Sequence, residues 1–208
     1  MNNIARKEFR YSFDYITFYI IGLTVLAYLV TRASPMLFYS LAIVPERVLH
    51  GAVWQPLTYL FVHGDFTHIL FNMLGLLFFG LSVERSMGSK EFLLFYLLTG
   101  FLAGLFSVLS FTIMGMGNVP LVGASGAIFG VLLAYAVIYP RSLIYIWGIL
   151  PVRAPVLVLG YAAIELFNEL VGARGNVAHL THLAGFGVAL AYFPIRHGIN
   201  PIKRLMIR

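Results

Sequence analysis

The sequence predicts an all-α membrane protein: six transmembrane helices with an interfacial first outer loop. Three observations carry that reading. The 208 residues are 60% hydrophobic and only 11% charged, with a mean hydropathy of +0.88, far more apolar than a soluble domain of average usage. The apolar residues gather into six segments, roughly 13–32, 66–84, 91–113, 121–139, 154–171 and 178–195, each near the ~20 residues a helix needs to cross hydrocarbon. The connections hold the prolines, glycines and charges that let a chain leave a helix. The chain has no cysteine, so a disulfide framework, a thiol nucleophile and a cysteine-based metal site are all excluded.

Met1 to Arg10 is polar and carries Arg6, Lys7 and Arg10. The apolar run that follows is too long for a removable signal peptide and lacks a small-residue cleavage site, so 1–12 reads as a short cytoplasmic tail. The connection from about 33 to 65 contains Pro35, Pro45 and Pro56, and its apolar piece Ala52 to Val62 is too short to span; it reads as interfacial or re-entrant. The fourth segment opens on the breakers Gly115, Gly117, Pro120 and Gly123, so its helix is expected to start near Ser125. Pro140 to Pro155, with Arg141 and Arg153, is an apolar connection expected to lie along the interface. The tail 196–208 is basic. No repeat or second domain interrupts 1–208.

Orientation follows from counting Lys and Arg. With the N-terminus inside, eleven fall on the inner side and only Arg32, Arg47 and Arg174 on the other, a strong positive-inside bias. The net charge of +6 therefore reflects topology and contact with anionic lipid, and no basic-aromatic groove points to nucleic acid.

That topology aligns the costly polar residues. Segments two, four and six all run inward, and His68 with Asn72, Ser125, and His182 lie in their first turns. Intramembrane polar groups are read as functional by default. His68 and Asn72, four apart, share a helix face. Ser125 at a helix start is surrounded by free N–H groups and the positive dipole end. The chemistry implied is a serine nucleophile, a histidine base and donors for an oxyanion. Ordinary readings stand beside it: a serine between glycines packs helices closely, and a histidine can bond a carbonyl. His63, His68 and His182 would suit zinc, but zinc does not need a serine at a glycine turn, so no metal is expected. Gly126 with Gly130, and Gly185 with Ala189, form small-xxx-small pairs just below the reactive residues and allow close helix approach.

The run His63-Gly64-Asp65-Phe66-Thr67-His68-Ile69-Leu70-Phe71-Asn72, then Gly123-Ala124-Ser125-Gly126, then His179-Leu180-Thr181-His182-Leu183-Ala184-Gly185, resembles the rhomboid family of intramembrane serine proteases. Glu84, Gly88, Ser89, Tyr96 and Gly100 resemble that family's connection between the second and third helices. The resemblance implies a six-helix rhomboid-type bundle and an endopeptidase that cuts transmembrane segments. Ser125 would be the nucleophile, His182 the general base and later acid, and His68, Asn72 and the Ser125 N–H the oxyanion donors. It implies no cofactor, single-pass membrane proteins as substrates, and a multi-pass cell-membrane location with both termini cytoplasmic. His182 takes the base role over His179 because Gly185 follows it at the family spacing. Three departures stand out. Gln55 follows Trp54 where the family often has arginine, Thr181 stands where alanine is common, and Ala189 where a second glycine is usual. Phe129 falls where the family sets a ring against the histidine, or fills core.

His63 is expected at the outer surface, holding loop structure, and Asp65 as a helix cap. Glu165 and Glu169 invite a triad reading in which one orients His182, although an ion pair or a wet helix end beside Asn168 explains them equally. Gly172 to Asn176 is expected to act as a lid. Two rivals are a silent rhomboid-like binder of membrane clients, opposed by the intact Ser125/His182 pair, and a small-molecule transporter, opposed by the absence of a repeat.

Overall fold

The computed structural model describes residues 9–146, 148–171 and 177–207. It is 73% helical. Helix α1 (Ile16–Ala33) begins without a cap from its own preceding residue, Tyr15. Its orphan N–H groups go instead to Glu84, whose buried carboxylate accepts from Ile16 N–H at 2.7 Å, Thr17 N–H at 2.9 Å and the Thr17 hydroxyl at 2.7 Å. Ser89 adds a fourth donor at 2.5 Å. A negative charge at a helix start is favoured by the dipole, and four donors offset its desolvation. This one side chain therefore fixes where α1 docks.

The long connection folds into three short helices, α2 (Pro35–Leu41), α3 (Pro45–Leu49) and α4 (Gln55–Thr58), each with proline in its first two positions, followed by a 3₁₀ turn at Tyr59–Phe61. The expected interfacial piece 52–62 lies here and is packed inward: Tyr59, Leu60 and Val62 are fully buried. Room for it comes from α7 (Ser89–Ile113), where a Cβ on Gly100 would lie 2.4 Å from Leu60 Cδ2 and one on Gly104 2.8 Å from Tyr59 Cε1. The Tyr59 hydroxyl donates to Gly100 O at 2.8 Å.

Helix α5 (Phe66–Gly75) runs through a π-helical turn, Leu76–Gly80, into α6 (Leu81–Met87) as one continuous rod. Gly88, at φ +84°, reverses the chain into α7. Among the described residues, three helices are long and apolar enough to cross a membrane: α1, Phe66–Met87 and α7. Helix α8 (Ser125–Ile138) is shorter and starts at the residue expected from the breakers before it; apolar on nearly every side, it is enclosed by its neighbours. Helices α9 (Ala154–Val171) and α10 (Val177–Tyr192) follow, then a π turn and α11 (Pro201–Leu205). Helix α10 packs chiefly on α8 and α7. At its far end, Arg196 grips Glu91 of α7 with two bonds of 2.7 Å.

The connection 140–155, read from the sequence as an interfacial stretch, contains an antiparallel hairpin, β1 (Leu143–Ile146) against β2 (Leu150–Arg153), with Leu143 opposite Arg153. The physical reason is local: Leu143-Ile144-Tyr145-Ile146 is rich in strand formers, and Gly148 at φ +70° serves the turn. The fold is helical with this single strand pair among the described residues.

Candidate active site

The turn before α8 is built around Gly123, whose φ of +118° suits glycine alone. Its N–H donates to Tyr59 O at 3.0 Å, and the Ala124 N–H reaches His63 Nε2 at 3.4 Å. Among the described residues the Ser125 N–H meets no acceptor, so it stays available at the positive end of α8. A Cβ on Gly123 would stand 2.6 Å from His68 Nε2, so this glycine also makes room for that ring.

Helix α10 brings His182 to this turn, with Nε2 2.7 Å from Ser125 Oγ. Phe129, one turn along α8, stacks face to face on the imidazole with centroids 4.1 Å apart and planes 7° apart. Both of its expected roles are seen, since the same ring also packs against the core and edge-on to Phe186. Helix α5 supplies the other wall. Asp65 caps it by accepting the His68 N–H at 2.8 Å, as expected, and the Asn72 amide donates to His68 O at 2.8 Å. Ser125, His182, His68 and Asn72 all line one cavity of about 1000 Å³ bounded by α5, α8, α9, α10 and strand β1. The four residues singled out in the sequence converge.

His63 is fully buried rather than exposed, and through the Ala124 N–H it holds the loop before α8, as expected of it. Burial, with His68 nearby, pushes its pKa down to about 4. The unfolded imidazole titrates near 6.5, so the unfolded chain takes the proton first. This group costs nothing above pH 6.5, and stability falls as pH drops from 6.5 toward 4, by up to about 3 kcal/mol. Denaturation midpoints in detergent should track this window, and His63→Gln should flatten it.

Gln55 supplies bonds of its own. Buried beneath the connection, it accepts the Val44 N–H at 2.9 Å and points its amide at Tyr39 O and Ser40 O, both at 3.3 Å. Thr181 likewise gains a partner, the Ser107 hydroxyl at 2.6 Å. The expected lid, Gly172 to Asn176, lies outside the described residues.

The sequence reading left one arrangement as a side possibility. Glu165 of α9 reaches both histidines of α10: Oε2 bonds His179 Nδ1, and Oε1 lies 3.0 Å from His182 Nδ1, close though not well aligned. Glu165, His179 and His182 also form a group with metal-ligand chemistry. The zinc trio weighed from the sequence was different, because it paired histidines without knowing which helix faced them.

Residues 50–198 match the model of the Rhomboid domain. The chain belongs to the rhomboid family. It is 34% identical over 163 residues to RHOMBOID-like protein 12, mitochondrial, of Arabidopsis thaliana, covering 71% of this chain and 48% of that protein. It is 28% identical over 216 residues to Rhomboid protease AarA of Providencia stuartii, covering 89% and 74%. It is 41% identical over 85 residues to Rhomboid protease GluP of Bacillus subtilis, covering 41% and 16%. This rhomboid thus spans about half or less of several relatives it matches. The family and the long apolar helices make it an integral membrane protein.

Proposed function

We propose that this rhomboid is an intramembrane serine endopeptidase that cleaves transmembrane segments of other membrane proteins without a cofactor. The observation that carries the reading is the 2.7 Å contact of Ser125 Oγ with His182 Nε2 inside a cavity also lined by His68 and Asn72. As Ser125 attacks a peptide carbonyl, its proton passes to His182 Nε2; the same proton then goes to the leaving amine, and water repeats the sequence on the acyl-enzyme. The tetrahedral oxyanion would take the Ser125 N–H, with the His68 ring and the Asn72 amide as side-chain donors. Asn72 would exchange its present bond to His68 O for the oxyanion.

Hydrolysis at this depth needs water and a substrate carbonyl freed from its helix, so small or helix-breaking residues in the substrate lower the cost of unwinding. We read α1, the α5–α6 rod, α7, α8, α9 and α10 as six spans, with both termini on the cytoplasmic side of the cell membrane, because eleven of fourteen basic residues then lie inside.

The deciding experiment presents a labile single-pass membrane substrate in detergent to wild type and to Ser125→Ala. Cleavage by wild type alone is expected. Cleavage surviving in Ser125→Ala would sink the mechanism, and cleavage by neither would leave the silent client-binding reading.

A further inference from the structure

Resting on the protease reading above, we infer that Glu165 is a positioning residue that converts the Ser125/His182 pair into a Ser–His–Glu relay, with His179 holding the carboxylate in place. Ser125 Oγ, His182 Nε2, His182 Nδ1 and Glu165 Oε1 follow one another at 2.7 Å across the first gap and 3.0 Å across the last. Glu165 belongs to α9, and its side chain is nearly buried, away from the water that would otherwise dissipate its charge.

An ionised carboxylate can only accept hydrogen bonds. Facing Glu165, His182 Nδ1 therefore carries its proton, and Nε2 is left with the lone pair that points at the Ser125 hydroxyl. That is the tautomer a general base requires. When Nε2 takes the serine proton, the ring becomes an imidazolium beside the carboxylate. No proton needs to move to Glu165, which acts by charge and orientation alone.

His179 completes the arrangement. Its Nδ1 bonds the other oxygen, Oε2, which anchors the carboxylate and restricts its rotation about the terminal torsion while Oε1 stays 3.0 Å from His182 Nδ1. Phe129 stacked on one face of His182 limits the ring itself. Glu169, one turn along α9, forms no ion pair among the described residues, so the role falls to Glu165.

The same three side chains could instead hold a cation. Each carboxylate oxygen lies close to a ring nitrogen of one histidine, a spacing that shared protons account for, and zinc content separates the two arrangements.

The test combines turnover with a readout that needs none. In Glu165→Gln, a single amide oxygen replaces the carboxylate; kcat on the membrane substrate should fall on the order of 10²-fold with KM and thermal midpoint nearly unchanged. Nitrogen-15 spectra of histidine-labelled protein, with the His182 signals assigned from a His182→Gln sample, should show Nδ1–H alone in wild type and a tautomer mixture in Glu165→Gln. A kcat equal to wild type in a folded Glu165→Gln overturns the inference. So does an Nε2–H tautomer in wild type, a result that stands even if the variant fails to fold. One equivalent of zinc in the purified wild type, absent from Glu165→Gln, would make the trio a metal centre and overturn it too. Cleavage that survives Ser125→Ala defeats the protease reading separately, and the tautomer readout remains valid without it.

Discussion

His182→Ala is expected to slow cleavage on the order of 10⁴-fold or more, and adding Ser125→Ala to it should cost almost nothing further. The reason is that, in the proposed mechanism, the two side chains perform one step. Ser125 is a poor nucleophile until a base 2.7 Å away takes its proton, and His182 has nothing to activate once Oγ is gone. Independent contributions would multiply; a shared step saturates. What survives in either single variant should be the part owed to the oxyanion donors and to substrate binding. The measurement is initial rate on one membrane substrate for wild type, both single variants and the double variant at matched protein in detergent. A double variant slower than the worse single variant by a further 10²-fold or more would mean that the two residues act separately.

The convergence behind that prediction was legible because membrane topology is restrictive. Helices that run the same way, with polar residues in corresponding turns, leave few arrangements other than a shared depth, and that alone groups Ser125, His182, His68 and Asn72. The start of α8 at Ser125 was legible for a related reason, since Gly123 and the breakers before it cannot continue a helix. Asp65 as a cap followed from its place before an apolar run.

Other features depended on pairings that sequence spacing does not encode. His63 looked like a loop residue at the surface; only the packing of the 59–61 turn under the α8 entry shows why it is buried, with its ring nitrogen facing the Ala124 N–H. Gln55 could be seen as a departure, but the backbone groups it satisfies at Tyr39, Ser40 and Val44 belong to a connection with no periodic pattern. The hairpin 143–153 was hidden because a short apolar run reads equally as strand or interfacial chain. Glu165 was ambiguous for the plainest reason: rotation of α9 about its own axis decides whether that carboxylate meets water or His182, and two glutamates four apart on one helix do not reveal it.

Gly185→Ala is expected to destabilise the protein by at least about 3 kcal/mol and to disable the site as well. A Cβ at this position would fall 1.9 Å from Gly126 O and 2.9 Å from Gly126 C, so it strikes main chain and not the movable tip of a side chain. Helices α8 and α10 would have to part, and α8 is enclosed by the bundle, with little space to take up the shift. Gly126 follows Ser125 directly, while Gly185 stands three residues after His182. The contact that the methyl group destroys is therefore the one that sets the Ser125 to His182 distance, and misplacement by about 1 Å at a reacting pair is enough to cost on the order of 10²-fold in rate. Gly187, two residues further along α10, is the control: nothing lies within 4 Å of its would-be Cβ. Gly187→Ala should be neutral or stabilising by up to about 1 kcal/mol, because alanine is the better helix former. Thermal unfolding in detergent, read beside the rate at which a fluorophosphonate labels Ser125, separates the two. Equal midpoints and equal labelling for Gly185→Ala and Gly187→Ala would show that the α8–α10 crossing does not hold the pair.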